Sequence, residues 1–230
     1  MLQHNQNNNR ISIQVGLSGY SFRIYTDGVQ GYSSGWMSSE RIFTTSEFQR
    51  RYDKVDVSVF TPKVALIPEQ FFSPEAARQM LDDVTDIGQD DQIEYIRMPE
   101  MASVLVFSNS IGETLSRVIS ETVRRTDGTK SPLLPEMYYM LRQLYSLPEY
   151  NKIMASYKDG ILYLIIAQGK SLMLCNTYKA PDFTTAQYFI FLAMKKLQLN
   201  PEVSTISFRT ELAEEDEMSL YRYFKSVDLI

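Results

Sequence analysis

The 230-residue chain has one histidine and one cysteine, and each scarcity removes a class of chemistry. The lone cysteine, Cys175, leaves no internal disulfide framework and no cysteine-built zinc cluster. The lone histidine, His4, lies in "MLQHNQNNNR", a polar, Asn/Gln-rich start without periodicity that is expected to be a disordered tail over residues 1–10. A Ser-His-Asp triad, a Cys-His dyad and a multi-histidine metal site therefore have no basis here. Carboxylates, lysines and tyrosines remain as acid/base candidates. Cys175, in the run "SLMLCNTY", reads as a buried, inert thiol on a strand apolar on both faces, because an activated thiol wants a histidine or a helix N-terminus beside it.

Long apolar runs are also missing. None approaches the ~18 residues of a membrane span, and no apolar core of about 7–15 residues marks a secretory signal, so the expected location is the cytoplasm. Positive charge is in deficit: 23 Lys and Arg face 28 Asp and Glu, a net of −5. That balance speaks against generic nucleic-acid binding, which needs clustered cations. The doublets Arg50-Arg51, Arg124-Arg125 and Lys195-Lys196 are isolated in the sequence and read as solvated helix faces.

What is present is a chain 44% hydrophobic, enough to bury a sizeable core in one domain or two packed halves. After the tail, β runs are expected at 11–16, 20–26 and 29–36, separated by Gly16-Leu17-Ser18-Gly19 and by Thr26-Asp27-Gly28, an Asp-Gly hairpin signal. A short helix with Ser46 as N-cap should follow, then strands in "VDVSVF" and "KVALIP". Ser73 and Pro74 predict the start of another helix. "IEYIRM" and "SVLVFS" read as a strand pair, and Leu115, Val118, Ile119 and Val123 share one helical face. "LPEMYYMLRQLY" is a further helix. The C-terminal part reads as a three-strand meander, "NKIMASY", "ILYLIIA" and "KSLMLCNTY", with turns at Lys158-Asp159-Gly160 and Gln168-Gly169. A helix with a Thr184–Gln187 capping box follows, its face being Ala186, Phe189, Ile190, Ala193 and Leu197. A strand, "VSTISF", precedes a last helix with Met218, Tyr221 and Phe224 on one face.

The two meanders share an order of strand, glycine turn, strand, glycine turn, strand, helix, which points to an internal duplication. Two such halves imply mixed sheets flanked by helices and facing each other across a cleft. That is the plan of the actin, sugar-kinase and chaperone ATPase superfamily. The strings "LSGYSF" (17–22), "ALIPEQFF" (65–72), "GKSLMLCNTY" (169–178) and "DFTTAQYFIF" (182–191) resemble a Bacteroidetes family known as a domain of unknown function. The resemblance runs over nearly the whole chain after residue 10. It implies a mixed α/β, actin-like (ribonuclease H-like) fold, a duplicated β-β-β-α-β-α unit in two lobes with a cleft between them. The lobes are expected at 11–148, with inserted strands and helices, and 149–230. The family's analogues look like the cytoplasmic actin-like scaffolds of pilus-assembly and type II secretion machines.

In superfamily members that hydrolyse ATP, the first hairpin carries an Asp that helps to position magnesium, a Gly and a hydroxyl residue. Here Gly19 matches the glycine, with Ser18 and Ser21 beside it, but Leu17 stands where the aspartate would, and leucine offers no oxygen to a hard cation. At the second hairpin, Ser156 and Lys158 replace the Asp-x-Gly motif, and Asp159-Gly160 sits as a hairpin turn. The late "ISFRTEL" has no glycine pair. Without metal ligands or a glycine cradle, phosphoryl transfer loses its main electrostatic support. No catalytic residue, cofactor or metal site is therefore assigned.

The carboxylates Asp82, Asp83, Asp86, Asp90, Asp91 and Glu94 lack an EF-hand register and read as a solvated acidic loop. Those from Glu214 to Glu217 suit a helix N-terminus. Asn176, amid apolar neighbours, is expected to be buried and bonded. Phe71, Phe72, Tyr138 and Tyr139 could anchor a partner, since aromatics dominate binding hot spots; core packing is the plainer account of them. The reading that follows is a non-catalytic scaffold or adaptor with an unidentified protein partner and no nucleic acid. The alternative is a nucleotide-binding switch or weak ATPase using Ser18, Gly19, Ser21, Lys158 and Asp159 in the cleft.

Overall fold

The computed structural model describes residues 9–110 and 113–230. Glycine-marked corners divide the start into β1 (Asn9–Val15), β2 (Gly19–Thr26) and β3 (Val29–Ser33), and a short β4 (Met37–Ser38) folds back on the beginning of β2. The expected tail lies outside the described residues up to residue 8, while Asn9 and Arg10 already belong to β1. The short helix expected from Ser46 is a 3-10 turn, Ser46–Gln49, preceded by another at Ser39–Thr44. Ser46 donates to the Glu47 carboxylate instead of capping a backbone N–H. The chain then extends as β5 (Arg51–Tyr52) and β6 (Lys54–Val59), drawing Phe48 and Tyr52 into the core.

Next come β7 (Val64–Pro68), α1 (Ala77–Asp82), β8 (Glu94–Met98) and β9 (Ser103–Phe107). Ser73 gives its hydroxyl to Glu75 rather than to the backbone, and a 3-10 turn at Pro74–Ala76 leads into α1. The acidic loop is only partly solvated. Asp91 is buried, pairs with Lys63 at 2.5 Å, and accepts from the Gly88 N–H at 2.7 Å and from Ser108 at 3.3 Å. A buried carboxylate needs such partners, and this one closes the loop onto the sheet.

Then follow α2 (Glu113–Thr122), β10 (Arg124–Arg125), β11 (Leu133–Pro135) and α3 (Glu136–Leu144). The second meander is β12 (Asn151–Lys158), β13 (Ile161–Gln168) and β14 (Ser171–Lys179), followed by α4 (Phe183–Lys196) and β15 (Thr205–Phe208). α4 is capped by Asp182, whose side chain accepts from the Thr185 N–H at 2.7 Å, and not by the Thr184–Gln187 box. The last helix stops early, as α5 (Glu214–Tyr221), and a strand not foreseen, β16 (Ser226–Leu229), completes the chain. Accordingly Met218 and Tyr221 are exposed, and Leu220 and Phe224 are the buried residues.

The topology repeats. Among the described residues one sheet runs β11-β6-β1-β2-β3 and another runs β16-β15-β12-β13-β14. In each, an antiparallel meander meets a parallel strand, β6 on β1 and β15 on β12, and a second parallel strand joins beyond it. The halves differ in what fills the crossovers. Between β6 and β11 lies the whole β7-β9-β8 sheet with α1 and α2, whereas α5 alone joins β15 to β16.

The chain divides into two compact units. One takes in the sequence through Thr61 together with Asn109–Glu136; the other joins Pro62–Ser108 to Met137–Ile230. The first is centred on Ile11, Ile13, Phe22, Phe48 and Val57, against which α2 lays Ile119, with Val123 just past its end and Leu115 and Val118 at the margin. In the second, Ile153, Leu164 and Ile166 pack against Ala186, Ile190 and Ala193 of α4, with Phe189 and Leu197 partly buried beside them. A smaller cluster in that unit, including Ala77, Leu81, Val104 and Val106, holds α1 on the β7-β9-β8 sheet.

Candidate functional site

The first corner is filled by the protein itself. Gly16 N–H donates to the Gly19 carbonyl at 2.9 Å, closing the turn. Gly19 pairs with Ser38, and a Cβ on it would stand 2.0 Å from the Met37 carbonyl oxygen and 3.2 Å from Trp36 Nε1. The glycine is thus required by the strand that folds back over it. Leu17 points outward and is 62% exposed. Ser21 donates toward Gln14 at 3.4 Å, a long contact.

Beneath this corner lies a polar group that the sequence reading missed. Glu136, fully buried at the start of α3, accepts from Gln14 Nε2 at 3.1 Å and from Ser58 Oγ. The three residues come from β1, β6 and the first position of α3, so the carboxylate ties the meander to its parallel neighbour. The polar residues Gln14 and Ser58 within the strand runs "ISIQV" and "VDVSVF" were the available signal.

In the second unit, Lys158-Asp159-Gly160 forms a tight turn with φ of 51° at Asp159 and 73° at Gly160. Burial draws the Lys158 ammonium pKa below its ordinary value, and Asp159 opposes that. Ser156 is fully buried. The late segment is occupied by side chains: Arg209 is buried with its guanidinium 5.7 Å from the centre of the Tyr139 ring, and Thr210 accepts from the Tyr157 N–H at 2.9 Å. Ser18, Gly19 and Ser21 therefore belong to one unit and Lys158 and Asp159 to the other.

The aromatic candidates all lie in the second unit. Phe71 is 66% exposed, but Phe72 packs on Tyr95 with ring centres 4.9 Å apart. Tyr139 is buried, and Tyr138 meets it edge-on at 5.2 Å.

The same unit carries an open groove of about 1090 Å³. Its walls are β14, through Leu172, Met173 and Leu174, and β7 with the turn before β9, through Leu66, Pro68 and Met101. Both strands are sheet edges, each paired on one side only. They come together where Thr177 Oγ1 donates to the Pro62 carbonyl at 3.3 Å. Tyr145 and Tyr150 stand at the rim. The Tyr150 ring lies against Gly169, where a Cβ would come within 3.1 Å of it. Lys152, buried in the wall, ties the preceding loop down through the Leu147 and Glu149 carbonyls.

Cys175 also lines the groove. β14 is a half-exposed edge rather than a strand apolar on both faces. The Cys175 thiol is nevertheless enclosed, and burial pushes its pKa up to about 12, so it stays protonated and unreactive near neutrality. Asn176 is exposed, its side-chain oxygen accepting from the Thr177 N–H at 2.9 Å. On an edge strand the amide needs no buried partner.

The family described as "Protein of unknown function (DUF3822)" matches residues 1–227. The chain belongs to it. Among curated proteins none matches this DUF3822 member. Among solved structures it is similar to a Bacteroides thetaiotaomicron protein with an actin-like ATPase fold and unknown function. The TM-score is 0.68 at 15% identity, over 100% of this chain and 94% of the other. It is also similar to a chain of the PilM–PilN type IV pilus biogenesis complex, with a TM-score of 0.52 at 12% identity over 96% and 88%. This DUF3822 chain accordingly has an actin-like ATPase fold, with mixed α/β sheets. Among its described residues no helix is long and apolar enough to cross a membrane.

Proposed function

We propose that this DUF3822 protein is a non-catalytic adaptor that holds an extended, apolar segment of a partner protein along the groove between β7 and β14. The observation that carries this reading is the pairing of two strand edges around one cavity, each with backbone N–H and C=O groups on its open side. Such an edge accepts an added strand, with backbone bonds giving affinity and side-chain pockets giving selectivity. Tyr145, Tyr150 and Met173 supply the apolar contact area that interfaces favour, and Phe71 adds an exposed ring in the same unit. The likeness to a chain that works in a pilus-biogenesis complex fits an assembly role on this fold. The filled corner at Gly19 fits a protein whose fold no longer turns over a nucleotide.

Two measurements test the proposal. Affinity capture from the native cell should retrieve a partner that Met173→Glu and Tyr150→Ala both lose, while an exposed control such as Glu202→Gln keeps it. Retention by both groove variants would overturn the groove reading. Titration with ATP and magnesium should give no heat; micromolar, magnesium-dependent binding would overturn the non-catalytic part.

A further inference from the structure

The arginine doublets that are distant in the sequence meet in the first unit. β5 and β10 form a two-stranded parallel ribbon in the register Arg51 opposite Arg124 and Tyr52 opposite Arg125. They are strand residues, not helix faces; of the three doublets only Lys195-Lys196 lies on a helix, the last turn of α4. Register partners in a parallel ladder project to the same face, so Arg51 and Arg124 stand side by side on the face opposite Tyr52, which is buried. Like charges directly opposite one another on neighbouring strands destabilise a sheet. A chain with a net charge of −5 has carboxylates to spare for neutralising them. Yet among the described residues no carboxylate forms an ion pair with Arg50, Arg51, Arg124 or Arg125.

The surrounding carboxylates are committed elsewhere. Glu121 takes Lys130 at 3.1 Å. Asp53 accepts from the Asn9 N–H at 3.0 Å and from Thr126 Oγ1 at 3.3 Å. Asp127 accepts from the Thr129 hydroxyl and N–H, which hold its carboxyl below the ordinary range, with a smaller pull from Arg125.

Both guanidinium groups are nonetheless held in place by backbone. Arg51 Nη1 donates to the Arg125 carbonyl at 3.2 Å, and Arg124 Nε donates to the Glu121 carbonyl at 3.0 Å. Each bond uses one of the five N–H donors of its side chain, leaving the others for a ligand. Gly128 lies next to Arg51, where its missing Cβ would stand 3.9 Å from Nη1. On the other face, beside Tyr52, Arg125 Nε is buried without a hydrogen-bond partner.

We propose that Arg51 and Arg124 form a clamp for a phosphate dianion, with one guanidinium fork on each side of a single phosphate. Two uncompensated positive charges match one phosphate monoester, which carries about −1.5 to −2 near neutrality, and planar forks suit its oxygens better than ammonium groups do. The ligand class is a phosphate group, either as the free ion or on a phosphorylated side chain. This inference is independent of the groove, which lies in the other unit.

The test is thermal unfolding of the full chain in inorganic phosphate against chloride at equal ionic strength, for wild type, Arg51→Gln/Arg124→Gln and Arg51→Lys/Arg124→Lys. In chloride the Gln pair should unfold at or above the wild-type temperature, because it relieves repulsion between neighbouring like charges. In phosphate the wild type should gain several degrees over its chloride value, the Gln pair should gain only the general salting effect, and the Lys pair should fall between them. Titration of a phosphoserine peptide then separates the two sources. Binding at least tenfold tighter than inorganic phosphate, and lost in the Gln pair, assigns a phosphorylated side chain; equal or weaker binding assigns the free ion. A phosphate-dependent gain that is the same in the Gln pair as in wild type means an adventitious ion elsewhere and overturns the proposal, as does the absence of any gain in wild type.

Discussion

In the first meander the corner glycine, Gly19, is pressed against Met37 by a strand that folds back over it. In the second the corner is an open two-residue turn, Asp159-Gly160, where a Cβ on Gly160 would meet only ordinary contacts at 3.6 Å. The strands around the two corners nevertheless have one topology, down to the parallel strand added beside β1 and β12. A shared plan thus reaches its turns by two routes. One glycine is there because nothing larger fits; the other is there because a positive φ is cheap without a side chain. Neither reason involves a ligand, so a glycine at such a corner is not by itself a trace of nucleotide binding.

The largest effect should separate these two roles. Gly19→Ala forces its methyl onto the Met37 carbonyl and should cost about 3 kcal/mol, whereas Gly160→Ala should cost about 1–2 kcal/mol from its left-handed backbone alone. Urea denaturation compares them, and equal costs would mean that the strand at Met37 yields easily. Next comes the buried polar tie. Glu136→Ala strands Gln14 and Ser58 and should cost about 2 kcal/mol. Thr210→Ala, which removes the acceptor for the Tyr157 N–H at the matching end of the second sheet, should cost about 1 kcal/mol. The reverse order would show that the first unit does not rest on its carboxylate.

The smallest effect concerns the helix that follows only the second meander. Asp182→Ala should lower the Tm, and Thr184→Ala should leave it nearly unchanged, because the cap bond comes from Asp182. Hydrogen bonds from Thr185 lower the Asp182 pKa in the folded protein. Its contribution is therefore fully present above the ordinary carboxylate pKa and is lost as pH falls through the lowered value, so the deficit of Asp182→Ala should shrink in acid. A deficit that grows in acid would contradict this cap.

Much of the local structure was legible. The meander strands, their glycine corners and the apolar faces of α2 and α4 follow from period and turn chemistry, which act over a few residues. The 3-10 turns before β5 were not legible, since Ser46 had a plausible capping role until Glu47 took its hydroxyl. β16 was hidden because Ser226 and Val227 read as the end of the last helix, and only pairing with β15 makes Ser226–Leu229 a strand. Of the candidate site residues, the turn geometry of Asp159-Gly160 could be read directly, whereas the crowding at Gly19 could not, because Met37 is eighteen residues away in the chain.

By itself the sequence determined the order of strands and turns, the scarcity of thiol and imidazole chemistry, and the repeat of the meander. Backbone stereochemistry and side-chain period settle these within short windows. Only the tertiary structure decided that Glu136 and Asp91 are buried, that residues 62–108 join the second unit, that Arg51 faces Arg124, and that β7 and β14 leave their edges open around one groove. Burial and charge pairing are set by neighbours tens of residues apart, and no local pattern encodes which neighbours those will be.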